Sequence, residues 1–261
     1  MYKVPKKASK KELISFFKYH KLEKLINLGS LPDESVNSLL VKKPYKPELE
    51  DLYRLYKMII LNKRTTILEF GCGWSSLIFS IALSKLKKKY KIDNLRRNNP
   101  FELFVVDNEK KYLENTKKNF QTYKKKFDLI NKNHFIFSRV NMCIYNGRIS
   151  TEYTKLPICN PDFIYLDGPD QFNIRGSING INLKHNDMMP MANDLLKIEY
   201  FLTPGTIIVV DGRTANARFL RDHFKRKWYY KHYAEFDQHI FYLNEKPLGK
   251  FNKLQIEFYK N

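Results

Sequence analysis

Within TTILEFGCGWSS, residues 65–76, a carboxylate at Glu69 precedes two glycines, Gly71 and Gly73, and two hydroxyls, Ser75 and Ser76. Ile67, Leu68 and Phe70 read as a short buried strand, the glycines as a turn and the serines as the opening of a helix. Glycines in a strand-to-helix turn let the main chain pass close to a ligand, where a Cβ would collide. A dinucleotide site of this design offers helix amides to an anionic pyrophosphate. A negative side chain at the turn's entrance argues instead for a ligand carrying a positive group. Three aspartates then stand at the ends of apolar runs: Asp107 after 101–106, Asp167 after 163–166 and Asp211 after 206–210. Any one is ordinary, because turns favour Asp. Together with Glu69 they set a row of carboxylates along one rim of a sheet. In open parallel sheets that rim, outside the carboxyl ends of the strands, is where ligands bind.

The elements that must hold these residues alternate, as in a parallel sheet covered on both faces. After the first strand the pattern predicts a helix over 75–88, a polar insertion over 89–100 and a strand over 101–106. A basic helix over 109–127 and strands over 135–140 and 163–166 follow. Then come a helix over 189–201, a strand over 206–210, a helix over 215–224 and antiparallel aromatic strands over 228–233 and 239–243. A further strand is expected over 254–259. Ahead of the first strand, Pro47 opens a helix with Glu48, Glu50 and Asp51 near its positive end. Leu49, Leu52, Tyr53, Tyr56, Ile59 and Ile60 share one face of it. Residues 1–46 read as a polar helical appendage. There Leu13, Phe16, Phe17, Leu22, Leu25 and Ile26 are spaced for one helix or a bent pair, ended by Gly29, Ser30, Leu31 and Pro32. The expectation is an α/β fold: a Rossmann-like, doubly wound, mostly parallel sheet over 47–261 with a C-terminal antiparallel hairpin and an N-terminal helical appendage.

Glu69, Gly71, Gly73 and Ser75 meet an acidic-x-Gly-x-Gly-x-small pattern. With the order of elements behind it, the chain from Pro47 onward resembles the class I S-adenosylmethionine-dependent methyltransferases. The resemblance implies S-adenosyl-L-methionine as cofactor, with Glu69 facing its methionine end and Gly71 and Gly73 allowing backbone approach. Ser75 and Ser76 would bind the methionine carboxylate, while Trp74 either packs on the cofactor or closes the helix start. Asp107 falls where this fold presents an acid to both ribose hydroxyls, a geometry that suits a carboxylate accepting two hydrogen bonds. NAD sites use the same device, so Asp107 alone indicates a nucleoside. The long interval from Glu69 to Asp107 is accounted for by the 89–100 insertion. Arg139, Val140 and Asn141 are candidates for the adenine pocket. Asp167 would point at methyl donor and acceptor. The run Asp167-Gly168-Pro169 looks more like sugar and polysaccharide O-methyltransferases than like base-amine enzymes, which carry Asn/Asp-Pro-Pro-aromatic there.

Methyl transfer to a hydroxyl needs in-line approach and removal of a proton. Positioning supplies much of the acceleration, and a general base typically about 10²–10⁴-fold more. Candidate bases are Asp167, His185 and Asp187, with His239 more readily read as a packed residue. A divalent cation is a further option, because some O-methyltransferases of this fold hold one between carboxylates at the positions of Asp167 and Asp211. Oxygen ligands suit Mg²⁺, although Gly212 stands where those families often carry Asn or Asp. Arg213, with Asn216 and Arg218 in DGRTANARFL, and Arg175 in the long loop after Asp167 point with Asp211 to an acceptor bearing carboxylate or phosphate. The alternative is that these arginines neutralise Asp167 and Asp211. The loop itself, with Gly168, Gly176 and Gly180, reads as a lid over the acceptor.

The chain of 261 residues, 43% hydrophobic and 15% aromatic, belongs to a folded globular protein with a full core. No apolar run approaches the ~18–20 residues of a membrane span, and the start shows no signal-peptide pattern. Cys72, Cys143 and Cys159 fit neither a disulfide framework nor a zinc pattern, which favours a reduced cytoplasmic setting. A net charge of +20 invites a nucleic-acid partner, but the lysines are spread along the chain and several suit helix C-termini. The leading expectation is an O-methyltransferase for a small or carbohydrate-like anionic acceptor. The alternatives are an RNA methyltransferase recruited by the basic surface and a non-catalytic methyltransferase-fold binding module. A dinucleotide reductase is disfavoured, because the turn lacks a third glycine and carries Glu69.

Overall fold

Strand alternation decides how this chain is layered. In the computed structural model, which describes residues 2–29, 46–91, 100–185 and 188–260, the central strands are buried on both faces. In chain order the elements are α1 (Lys10–Tyr19), α2 (Glu23–Leu28), α3 (Leu49–Leu61), β1 (Thr66–Phe70), α4 (Trp74–Lys89), β2 (Glu102–Asp107), α5 (Lys110–Phe127) and β3 (Lys132–Phe137). They continue with β4 (Val140–Tyr145), β5 (Arg148–Tyr153), β6 (Phe163–Leu166), β7 (Ile174–Arg175), α6 (Asp194–Ile198), β8 (Ile207–Asp211), α7 (Thr214–His223), β9 (Trp228–Tyr233), β10 (Gln238–Leu243) and α8 (Lys250–Lys260). The main sheet has the order β3-β2-β1-β6-β8-β10-β9, parallel up to β8, with β10 antiparallel to both neighbours. This is the doubly wound, Rossmann-like architecture with a C-terminal hairpin that the sequence predicts.

Odd-numbered strand residues Ile67, Leu103, Val105, Phe163, Tyr165, Ile207 and Val209 pack with α1 to α5. Even-numbered Leu68, Phe70, Phe104, Val106, Ile164, Leu166, Ile208 and Val210 pack with α6, α7 and the small sheet. The first helices share this core, since Leu13, Phe17, Leu22 and Leu25 are buried in the same cluster as Leu55 and Ile59 of α3. None of the described helices is long and apolar enough to cross a membrane.

Several elements differ from expectation. The strand expected over 135–140 runs from Lys132 to Phe137, and Val140 instead begins a separate sheet of order β5-β4-β7. Its hairpin turns at Asn146 and Gly147, with φ of 48° and 74°, the type I′ signature of an Asn-Gly pair. The first half of the long loop after Asp167 is stitched to this sheet, because Ile174 and Arg175 pair with Val140 and Asn141. The helix expected over 189–201 shortens to Asp194–Ile198 with a 3₁₀ turn through Phe201, because Met191 and Ala192 stay extended against Thr151. The strand expected over 254–259 lies inside α8. That helix buries Asn252, Gln255 and Tyr259, a helical spacing of polar side chains that an apolar pattern cannot register.

α8 is tied to the opening of the sheet by one carboxylate. Asp162, fully buried, accepts from the amides of Thr65 and Thr66 at 3.0 and 2.9 Å, and from the hydroxyls of Thr65 and Tyr259 at 2.7 Å each. Charge-assisted bonds of this kind contribute about 1.5–3 kcal/mol each, and removing the acceptor strands buried donors. We therefore expect Asp162→Ala to lose about 3 kcal/mol or more in urea unfolding. A loss below about 1 kcal/mol would show the network to be incidental.

Candidate active site

By strand alternation Glu69, Asp107 and Asp211 fall on the odd-numbered face, and Asp167 follows β6 by one residue. Because β2, β1, β6 and β8 are adjacent, the structure brings all four carboxylates to one rim. Glu69 is only 1% exposed. Its Oε1 accepts from the Ser75 hydroxyl, and its Oε2 is buried with no hydrogen-bond partner. Burial pushes its pKa up to about 8; hydrogen bonding to Ser75 and Ser76 opposes this and the charges of Asp167 and Asp107 add to it. Ser76 caps its own helix, its Oγ accepting from the Gly73 amide at 3.2 Å. Both serine hydroxyls are thus engaged within the turn, and the helix-start amides are what remains for a ligand carboxylate. Trp74, half-buried, packs edge-on against Tyr123, with ring centroids 6.1 Å apart.

The glycines divide the turn's labour. Gly71 has φ +93°, and a Cβ there would lie 3.1–3.2 Å from the backbone of Asp167 and Gly168. A Cβ on Gly168 would lie 2.6 Å from the Gly71 nitrogen and 2.8 Å from the Tyr153 hydroxyl. These two residues press the β1 and β6 exits together. Gly73 is different: a Cβ there would meet no protein atom within 4 Å, so its backbone faces open space.

Asp107, 3% exposed, accepts from the Glu109 amide at 2.7 Å. Burial raises it to about 6, against the pull of hydrogen bonds from Cys72 and that amide. The neighbouring Asn108 side chain exchanges two bonds with the Asp170 backbone, at 2.9 and 2.8 Å, joining the β2 and β6 exit loops. Beyond Asp107 opens a cavity of about 270 Å³ lined by Asn108, Glu109, Lys110, Phe137, Arg139 and Asn173, and also by Arg175. Arg175 therefore stands beside Arg139 and not over Asp167, because the pairing of β7 with β4 carries it there. A smaller cavity, about 90 Å³, lies at the opposite end of the strands around Tyr2, Arg64 and Tyr242.

Arg213 is the guanidinium that reaches the rim. Its Nη2 donates to the Asp167 carbonyl at 2.7 Å and its Nε lies 3.8 Å from the carboxylate, while Nε and Nη1 are buried without a hydrogen-bond partner. Crowding by crevice walls raises Asp167 to about 6, partly offset by Arg213. With 55% of the side chain open to water, screening keeps it ionised at neutral pH. Asp211 accepts from the Tyr165 hydroxyl and is raised by burial and by Asp167 to about 8. Gln238 Nε2 donates to Asp51 at 3.3 Å and its Oε1 accepts from Arg54 at 3.2 Å, extending the carboxylate row onto α3. Asp51 is itself raised to about 10 by burial and by Asp211. No motif marked Tyr165, Gln238, Asp51 or Asn108 in the sequence; their roles come from packing.

His239 is buried, with the Thr214 hydroxyl 2.9 Å from Nε2 and the Tyr230 hydroxyl 2.9 Å from Nδ1. Burial, with nearby His232 and Arg218, lowers it to about 4, so it is a packed neutral imidazole as expected. His185 lies on an exposed stretch, and Asp187 falls outside the described residues. Among the described residues no third His, Cys, Asp or Glu joins Asp167 and Asp211 closely enough to make a three-ligand cluster.

No protein-family model and no curated protein matches the sequence. Solved structures with a similar chain path include a Geobacter sulfurreducens methyltransferase, with 10% identity, 93% of this chain and 92% of that chain covered and a TM-score of 0.43. A Podospora anserina methyltransferase bound to S-adenosylhomocysteine (SAH) gives 12%, 92%, 90% and 0.43. A Bacillus cereus O-methyltransferase in complex with SAH gives 11%, 91%, 92% and 0.39. The likeness is loose, and the chemistry is read from the side chains themselves.

Two outcomes are expected. Gly168→Ala lowers the melting temperature sharply because backbone blocks its Cβ, whereas Gly73→Ala melts like the wild type; equal melting of both variants would contradict the division of roles. Glu69 and Asp211 bind protons more tightly folded than unfolded, their pKa values rising from 4.5 and 3.8 to about 8. Their contribution to stability is full below the unfolded values and is lost as pH rises through about 8. Thermal melts from pH 5 to 8 should show Glu69→Gln declining less steeply than the wild type. Equal slopes would place the Glu69 carboxylate in water.

Proposed function

We propose that the chain is an S-adenosylmethionine-dependent methyltransferase that methylates an oxygen of a small or carbohydrate-like, anionic acceptor. The observation that carries this reading is that adjacent strand exits hold together Gly73, where a Cβ would meet nothing within 4 Å, the unpartnered Oε2 of Glu69 and the buried Asp107. A buried carboxylate poised near pKa 8 gains most from a cationic neighbour, which would ionise it. When bound, S-adenosylmethionine supplies an electrophilic methyl group on a sulfonium. Asp107 accepts from ribose hydroxyls, and the helix-start amides of Trp74 and Ser75 take the amino-acid carboxylate. Asp167, ionised and water-accessible at the next strand end, receives the acceptor's proton. Arg213, whose Nη1 has no hydrogen-bond partner, orients an anionic group on the acceptor. A Mg²⁺-type cation would lodge between Asp167 and Asp211, whose oxygens suit it.

One observation favours RNA as acceptor in a second reading. α5 buries Leu113, Thr116, Phe120 and Tyr123 and leaves Lys110, Lys111, Lys117, Lys118, Lys124 and Lys125 exposed as pairs seven residues apart. RNA affinity falling steeply with salt would support that reading.

Calorimetric titration with SAH tests the cofactor assignment. Asp107→Ala is expected to weaken binding by roughly 1–3 kcal/mol, and unchanged affinity would contradict the ribose contact. Asp167→Asn is expected to bind SAH normally yet transfer no methyl group to sugars or sugar phosphates that the wild type accepts. Retained turnover would remove Asp167 from the chemistry.

A further inference from the structure

At the far edge of the rim His232, Asp237 and His239 converge, one ligand atom of each lying within 4.8 Å of the others. The hairpin dictates this. β9 and β10 pair antiparallel with His232 directly opposite His239, so both side chains leave the same face. Their rings lie 3.9 Å apart, 10° from parallel. Asp237 sits in the connecting turn with φ 46°, just ahead of β10. Its carbonyl accepts from the Gly212 amide at 3.0 Å, and its Oδ2 lies 3.7 Å from where a Gly212 Cβ would stand. A Cβ at position 212 would therefore touch this carboxylate at ordinary van der Waals distance.

Two imidazoles and a carboxylate are the donor set of late first-row divalent cations, zinc above all. His239 also has the outer support such sites need. The Tyr230 hydroxyl stands 2.9 Å from its Nδ1 and orients the ring, and Nε2, which meets the Thr214 hydroxyl at 2.9 Å, serves as ligand atom once a metal displaces that hydroxyl. A metal lies in the plane of each imidazole it binds, so binding turns one ring out of the stack. His232 is the exposed partner and is free to turn, while buried His239 holds still.

We propose that His232, Asp237 and His239 bind a zinc-class divalent cation beside Asp211, at a site independent of the cofactor crevice and of the methyltransferase reading. The test uses the full chain without a histidine tag, stripped with chelator and titrated with Zn²⁺ by calorimetry and with Co²⁺ by visible absorption. One Zn²⁺ per chain and a tetrahedral Co²⁺ spectrum are expected. His232→Ala, an exposed change that leaves melting unaltered, should weaken Zn²⁺ by about 100-fold or more, exceeding the ~10–100-fold of an outer-shell change such as Tyr230→Phe. Absence of stoichiometric binding would overturn the proposal. Binding unchanged in both His232→Ala and Asp237→Asn would overturn it equally, by placing the metal elsewhere.

Discussion

Where β1 and β6 leave the sheet, their backbones run so close that neither Gly71 nor Gly168 can carry a side chain without meeting the other's main chain. That approach sets much of the site's shape. It brings the loop after Asp167 against the turn after Glu69, so that two carboxylates on adjacent strands share one crevice. It also turns the chain at Gly73 so that the start of α4 faces outward over empty space. A bulkier turn would part the strand exits, and the carboxylates would drift into water, where they would have ordinary affinities and no reason to gather a ligand.

The electrostatics of the rim follow from that crowding. Burial raises Glu69, Asp107 and Asp211, the charge of Asp167 raises Glu69 and Asp211 further, and that of Asp107 adds to Glu69. Tyr165, Gln238 and Arg213 relieve part of the burden through hydrogen bonds and charge. Oε2 of Glu69 and two nitrogens of Arg213 stay without partners. Each is a buried polar atom with hydrogen-bonding capacity to spare, which is costly in a folded protein. The +20 charge elsewhere on the chain makes this acidic pocket a local exception, and it sets a cation-seeking crevice inside a surface that attracts anions.

Much of this was legible in the sequence. The Glu69–Ser76 turn and the aspartates at strand ends are local signals, written by backbone geometry and by the exit of each strand. What escaped was non-local. Arg175 looked like a neighbour of Asp167 until β7 paired with β4 and carried it to the cavity beside Arg139. The buried face of α8 is Asn252, Gln255 and Tyr259, held by hydrogen bonds that include Tyr259 to Asp162, so apolar periodicity pointed to a strand. The Asn146-Gly147 hairpin carried its own turn signal, yet no strand was expected between 140 and 163. His232 and His239, seven residues apart, become neighbours only through antiparallel register.

The most direct test of the central claim is a crystal structure of the wild-type chain grown with SAH. The account predicts adenosyl density between Gly73 and Asp107, with the ribose hydroxyls on the Asp107 carboxylate and the amino group toward Glu69. A crevice that stays empty at saturating ligand, or a nucleoside bound anywhere else on the molecule, would contradict it.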